Sequence, residues 1–259
     1  MFDSHCHPTD LEFPEDSVRA ASEQRVTLLC CGYNTEANHK VLELRRTFPG
    51  LPIALGLHPW FVSEALEPTL DLISAGHLTA VGEVGLDLWG DVDAEALNRQ
   101  RRVLDAQLHL ATRLGLPVTL HSRRAAQPLL EVVKNHGGLR GALHAYSGSF
   151  EQLAPFLKLG FFLGVGGAVT RSRARRVRDC AARAPLDQIL LETDAPAIGM
   201  DGLEPAAVRP EHVVRVAQSV AAVRHVDLST VVEQTDRNAE RLYGAAVTAA
   251  LNRGGTEDT

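Results

Sequence analysis

The feature that most constrains this chain is an alternation. Short apolar, β-branched runs recur along nearly its whole length, and a longer amphipathic stretch follows each one. The apolar runs predict strands over 2–5, 26–32, 53–58, 80–85, 118–121, 142–144, 161–166 and 189–193. The stretches between them predict helices over 15–24, 35–47, 68–75, 94–114, 124–136, 150–159, 173–184 and 210–223. A further helix over 228–243 ends near Gly244, a C-cap glycine, and Ser149 and Asp227 stand where N-caps belong. Most strand runs are continuously apolar, as expected when a parallel strand buries both faces. Strict strand–helix alternation requires crossover connections and a parallel sheet. Eight such units within 259 residues favour a closed (β/α)8 TIM barrel over an open doubly wound sheet. No G-x-G-x-x-G turn follows the first strand, which weighs against dinucleotide binding. Nothing divides the chain, so 1–259 reads as one barrel domain with helix 228–243 appended and a short polar tail over 252–259.

Polar residues stand where the apolar runs stop. Strand one ends in His5-Cys6-His7, strand three in His58-Pro59, and strand four carries Glu83 and then Asp87. Strand five ends in His121-Ser122-Arg123, strand six in His144, and strand eight in Glu192-Thr193-Asp194. The C-terminal strand ends of a barrel surround one mouth, where the active sites of this fold lie. His5 and His7 share a strand face, because side chains repeat every second residue. Imidazole with carboxylate suits zinc, manganese, iron, cobalt or nickel, and magnesium is also considered. Six donors exceed one tetrahedral site. The expectation is two divalent ions: His5, His7 and Asp194 on one, His121 and His144 on the other, and Glu83 on both. Paired ions ~3.5–4 Å apart can clamp the attacking and leaving oxygens of a displacement and acidify bound water.

The ordered runs Asp3-Ser4-His5-Cys6-His7, Gly56-Leu57-His58-Pro59, Gly82-Glu83-Val84-Gly85-Leu86-Asp87, Leu120-His121-Ser122-Arg123, His144-Ala145-Tyr146-Ser147-Gly148-Ser149 and Glu192-Thr193-Asp194-Ala195-Pro196 resemble the motif series of the TatD family of metal-dependent hydrolases. The resemblance spans residues 2 to 244, and is strongest to the YjjV-type bacterial members through residues 120–124 and 164–167. It implies a barrel, a divalent-metal centre and hydrolysis of DNA phosphodiester bonds, often from the 3′ end. Two departures stand out. The loop over 197–202 and Ala207-Val208-Arg209 diverge where the family usually shows an asparagine close to an arginine and a proline, and Tyr146 replaces a common phenylalanine.

The functional expectation is therefore a deoxyribonuclease acting as a 3′–5′ exonuclease by metal-activated water. Asp194 and Glu83 are the expected catalytic carboxylates: Asp194 takes the water's proton and Glu83 fixes the metal spacing. Arg123, Arg171 and His58 are the expected substrate contacts. Arg171 leads an arginine-rich stretch over 170–178, which reads equally as a solvated helix face. His58 reads as a substrate or supporting contact or as structural, Trp89 as a stacked base partner or as packing, and 164–167 as a phosphate loop or as close backbone packing. The rival activity is a deacylase of D-aminoacyl-tRNA, or another carboxyl ester or amide hydrolase. A non-catalytic binding protein is disfavoured by the intact ligand set. The net charge of −6 excludes a protein that coats nucleic acid by bulk charge, but not an enzyme that grips a few phosphates. Cys6, Cys30, Cys31 and Cys180 read as buried thiols. No apolar run nears the ~20 residues of a membrane span, and the N-terminal residues have no secretory pattern. A cytoplasmic monomer without membrane attachment, taking nucleic acid as substrate, is expected.

Overall fold

In the computed structural model, which describes residues 1–244, 247–249 and 251, the apolar runs form one eight-stranded sheet in sequence order. The strands are β1 (Phe2–Cys6), β2 (Thr27–Cys31), β3 (Ile53–Leu55), β4 (Ala80–Asp87), β5 (Val118–Arg123), β6 (Gly141–Leu143), β7 (Phe162–Val165) and β8 (Ile189–Leu191). Each paired neighbour runs parallel. The helices are α1 (Pro14–Glu23), α2 (Thr35–Thr47), α3 (Glu67–Ser74), α4 (Ala94–Leu114), α5 (Ala126–Lys134), α6 (Phe150–Lys158), α7 (Arg175–Arg183), α8 (Val213–Arg224) and α9 (Leu228–Tyr243). The expected tail over 252–259 lies outside the described residues.

The sheet comes round on itself just beyond β8. Asp194 N–H donates to His5 O at 2.9 Å, and His7 N–H donates to Ala195 O at 2.7 Å. The buried Asp3 carboxylate adds to the seam, accepting Thr193 N–H at 2.9 Å and the Thr193 hydroxyl at 2.6 Å. Apolar side chains divide into two bodies. The larger lies between strands and helices. The smaller fills the barrel interior with Phe2, Leu29, Ala54, Ala80, Ala142, Phe162 and Leu190, and Leu242 and Tyr243 of α9 join it. The Phe2 and Tyr243 rings stand 5.8 Å apart, so α9 closes the N-terminal end and leaves the C-terminal end as the mouth.

Two register shifts decide which side chains face inward. Alternation from the interior residue Phe2 would send Ser4 and Cys6 inward. The shift between Asp3 and Cys6 puts Cys6 in the outer core, which turns His5 and His7 toward the axis. Alternation from Ala80 would likewise bring Val84 inward. The shift between Val81 and Val84 puts Val84 in the outer core and turns Glu83 in. Such bulges re-aim side chains beside active sites. Gly85 allows the close approach this requires, since a Cβ there would stand 2.1 Å from the His121 carbonyl oxygen.

The expected boundaries hold with local differences. Strand β4 runs two residues past its expected end at Gly85, to Asp87, because β5 extends to Arg123 and pairs with it. Residues 210–212 form a separate 3-10 turn before α8 rather than its first turn. Ser149 caps α6 in a reciprocal capping box with Gln152. Asp227 precedes α9, but its side chain makes no capping bond. All four cysteines are free and buried.

Candidate metal centre

The six expected ligands meet at the mouth. His5, His7, Glu83, His144 and Asp194 are buried, and His121 is nearly so. Glu83 is central, and its two oxygens face different groups. Oε2 lies 3.4 Å from His5 Nε2 and 3.4 Å from His7 Nε2. Oε1 lies 2.8 Å from His144 Nε2, 2.9 Å from His121 Nδ1 and 3.3 Å from His58 Nε2. Asp194 Oδ1 stands 3.3 Å from His7 Nε2 and 3.9 Å from His5 Nε2. Three sets could each hold an ion: His5, His7 and Asp194; His5, Glu83 and His144; and His58, Glu83 and His121. The geometry thus brings His58, expected as a substrate contact, into the donor cluster.

Partners on the far side of each ring show what its near nitrogen can do. His7 Nδ1 lies 2.8 Å from Cys31 O, which can only accept, so Nδ1 carries the proton and Nε2 presents a lone pair when the ring is neutral. His121 Nε2 lies 3.0 Å from Asp87 Oδ2, so Nδ1 presents its lone pair toward Glu83. His5 Nδ1 is bonded to Thr119 Oγ1 at 2.8 Å. Its Nε2 then confronts His7 Nε2 at 3.2 Å. Asp194 Oδ1 is buried and makes no hydrogen bond. When their rings are neutral, His7 and His121 thus turn lone pairs toward the same space as the carboxylate oxygens of Glu83 and Asp194. That donor set fits a divalent cation, with outer hydrogen bonds fixing each imidazole as metal sites require.

Charge tells the same story. Burial opposes ionisation of Glu83, but His144 and His58 outweigh it and hold its pKa well below the ordinary value. Burial also opposes the charge of Asp194, yet His7 and His144 depress its pKa. Burial, and then His144, push His5 down to about 4. Burial disfavours the His144 imidazolium too, but Glu83 outweighs it and pushes its pKa up to about 9. At His7 the carboxylates of Asp194 and Glu83 outweigh burial and raise the pKa well above ordinary. The buried carboxylates therefore favour protons on His7, His121 and His144, while burial disfavours them on His5 and His58.

Several further residues support the cluster in roles that the local sequence does not reveal. Asp87 is buried; its carboxylate accepts from Trp60 Nε1 at 2.7 Å and Trp89 N–H at 2.8 Å, besides facing His121. The buried Glu192 accepts Ala145 N–H, and its Oε1 lies 3.8 Å from His144 Nδ1. Burial raises its pKa to about 8. Three buried carboxamides each grip both backbone groups of one residue. Asn38 holds Gly56, Gln107 holds Leu57 and Gln100 holds Asp87. They come from α2 and α4 and pin the chain that carries His58 and Asp87. Their only sequence signature is a polar residue on an otherwise apolar helix face.

The two expected substrate arginines lie outside the histidine cluster, at different distances along the chain from it. The Arg123 guanidinium stands over Trp89, 4.0 Å from the ring centre. Arg171 is exposed and follows the one-turn helix Gly167–Thr170, against Gly199 in the loop after β8. Among the described residues no contact joins it to the histidine cluster. Gly164 packs tightly: a Cβ there would stand 2.4 Å from Glu192 Oε2 and 2.9 Å from His144 Cα, which is close packing at the site.

Comparison with known proteins bears on the family and the fold. A family model described as TatD related DNase matches residues 2–244. The chain is 36% identical over 257 residues to the metal-dependent hydrolase YjjV of Escherichia coli K12, covering 94% of this chain and 97% of that one. The crystal structure of the E. coli YjjV protein, a TatD homolog, superposes with a TM-score of 0.87 at 34% identity, over 95% of this chain and 98% of that one. A protein of Erwinia tasmaniensis named 3′-5′ ssDNA/RNA exonuclease TatD is 30% identical, over 94% of this chain and 99% of its own length.

Proposed function

The chain belongs to the TatD family of metal-dependent hydrolases, and from that premise we propose that it is a nuclease that removes nucleotides from the 3′ end of single-stranded or frayed DNA. The observation that carries the reading is the position of Glu83, whose Oε2 faces His5 and His7 while its Oε1 faces His121, His144 and His58. Two divalent ions would be held there, one by His5, His7 and Asp194 and the other by His121, His144 and His58, with Glu83 available to both. Bound divalent cations supply Lewis acidity and a lowered pKa for water. In this reading Asp194 takes the proton of the attacking water, which its buried Oδ1 without a hydrogen-bond partner supports. In the same reading Arg123 would neutralise a diester phosphate near the mouth, and Arg171 would meet phosphate further along the strand. Hydrolysis adds water across one P–O bond and yields a nucleotide and a shortened strand.

No helix among the described residues is long and apolar enough to cross a membrane. The proposal includes a cytoplasmic monomer. The test is metal analysis of protein purified without chelator, with end-labelled DNA oligonucleotides and D-aminoacyl-tRNA assayed side by side. Two metal equivalents and stepwise shortening of DNA from its 3′ end are expected, abolished by chelator. Asp194→Asn and Glu83→Ala should each lose turnover by at least about 100-fold while keeping a native circular dichroism spectrum. Deacylation without DNA cleavage would sink the reading, and full turnover in Glu83→Ala would remove the bridge.

A further inference from the structure

The chain has two tryptophans, Trp60 and Trp89. Both are exposed, at 63% and 55%, although large apolar rings gain most from burial. Both are tethered to one carboxylate. Asp87 Oδ2 accepts from Trp60 Nε1 at 2.7 Å, and Asp87 Oδ1 accepts Trp89 N–H at 2.8 Å. The same Oδ2 stands 3.0 Å from His121 Nε2. Two aromatic residues are thus anchored in solvent at the lip of the histidine cluster.

The rings differ in what meets them. The guanidinium carbons of Arg123 and Arg124 stand 4.0 and 4.3 Å from the Trp89 ring centre. Trp60 is met by His58 and His121 at centroid distances of 4.7 and 6.3 Å, with steep interplanar angles of 79° and 66°. These are edge contacts, not parallel stacks. The Nε1–H bond to Asp87 restrains the indole, so a stacking ligand would lose little additional freedom in ordering it.

Resting on the nuclease reading above, we propose that Trp60 is the stacking platform for an unpaired nucleobase beside the scissile phosphate, while Trp89 holds Arg123 and Arg124 toward the backbone phosphates. Every base has a π face, so such a platform tolerates any sequence but needs a base free of its duplex partner. Arginine matches phosphate geometry, and an aromatic ring beneath it limits its rotamers. The tether also explains the residue type, because phenylalanine would stack but could not bond Asp87.

The test compares two oligomers of equal length, one of thymidine nucleotides and one of tetrahydrofuran abasic units. In Trp60→Leu the ratio of kcat/KM for thymidine over abasic oligomer should fall by about tenfold. Trp60→Phe should keep most of that ratio. An equal loss on both oligomers would overturn the platform. A second readout avoids turnover altogether. In metal-free Trp89→Phe protein Trp60 is the sole indole, and its fluorescence should be quenched saturably by the thymidine oligomer and not by the abasic one. No quenching by either would overturn the proposal. Quenching in a wild-type protein that hydrolyses neither oligomer would remove the nuclease activity and leave the stacking site standing.

Discussion

At the residue scale, the chemistry turns on which nitrogen of each imidazole is already engaged. The Cys31 carbonyl holds the Nδ1 proton of His7, and Asp87 accepts from His121 Nε2, so each ring is set with its other nitrogen toward the carboxylates. Asp87→Ala removes the acceptor that orients His121. It should weaken binding of divalent metal by about 10–100-fold without removing a ligand, as read by chelator competition. Unchanged affinity would show that His121 needs no such partner. A second expectation concerns protons. In the metal-free protein His144 has its pKa raised to about 9, so it is charged at pH 7.5, and Asp194 and Glu83 raise that of His7 as well. Ligation needs neutral imidazole, so metal binding should release protons at that pH. Titration calorimetry in buffers of different ionisation enthalpy measures the number released, and an absence of release would mean these rings are not ligands. The donor types were legible from sequence, because histidine and carboxylate stand where apolar runs stop. The roles of Asp87 and Glu192 were not, since each gains its role from partners brought in by folding, His121 and Trp60 for one and Ala145 and His144 for the other.

At the scale of elements, helices do more than cover the barrel. Gln107 and Gln100 reach from α4, and Asn38 from α2, to replace strand partners where the sheet hydrogen bonding runs out at the ends of β3 and β4. An amide side chain suits this task because it carries one acceptor and two donors in a plane. The same device docks α9. Asn238 is buried and donates to Ile189 O at 2.7 Å and Leu186 O at 2.8 Å. Asn238→Ala would leave carbonyls without these donors in a buried setting, and should lower the unfolding free energy by about 2 kcal/mol. Urea denaturation checks it; a change below about 0.5 kcal/mol, the scale of an ordinary surface substitution, would mean that water replaces the amide. The helices themselves were readable from their period. The amide contacts were not, because an isolated helix gives no sign of which backbone its polar residue will meet.

At the scale of the whole molecule, the barrel concentrates buried charge at one end, and this couples stability to pH and to metal. In the metal-free protein burial raises Asp3 to about 7 and Glu192 to about 8, while Glu83 outweighs burial to raise His144 to about 9. A raised folded-state pKa gives stability that is fully present below the unfolded value and is lost as pH rises through the folded one. Glu83 and Asp194 are depressed, so their contribution is already complete above about pH 5. The metal-free melting temperature should therefore fall between about pH 6.5 and 9. A rise across that window would contradict the assigned charges. Divalent metal binds the folded chain preferentially, so at fixed pH the melting temperature should climb with free metal concentration. A flat profile in scanning calorimetry would speak against a preformed centre. By itself the sequence determined the alternation that makes a barrel and the kinds of side chain at its strand ends, because both follow from local period and residue chemistry. Tertiary structure decided which of those side chains turn inward. The shifts at Asp3–Cys6 and Val81–Val84 belong to pairs of strands, so the direction of His5 and Glu83 exists only once their neighbours are in place.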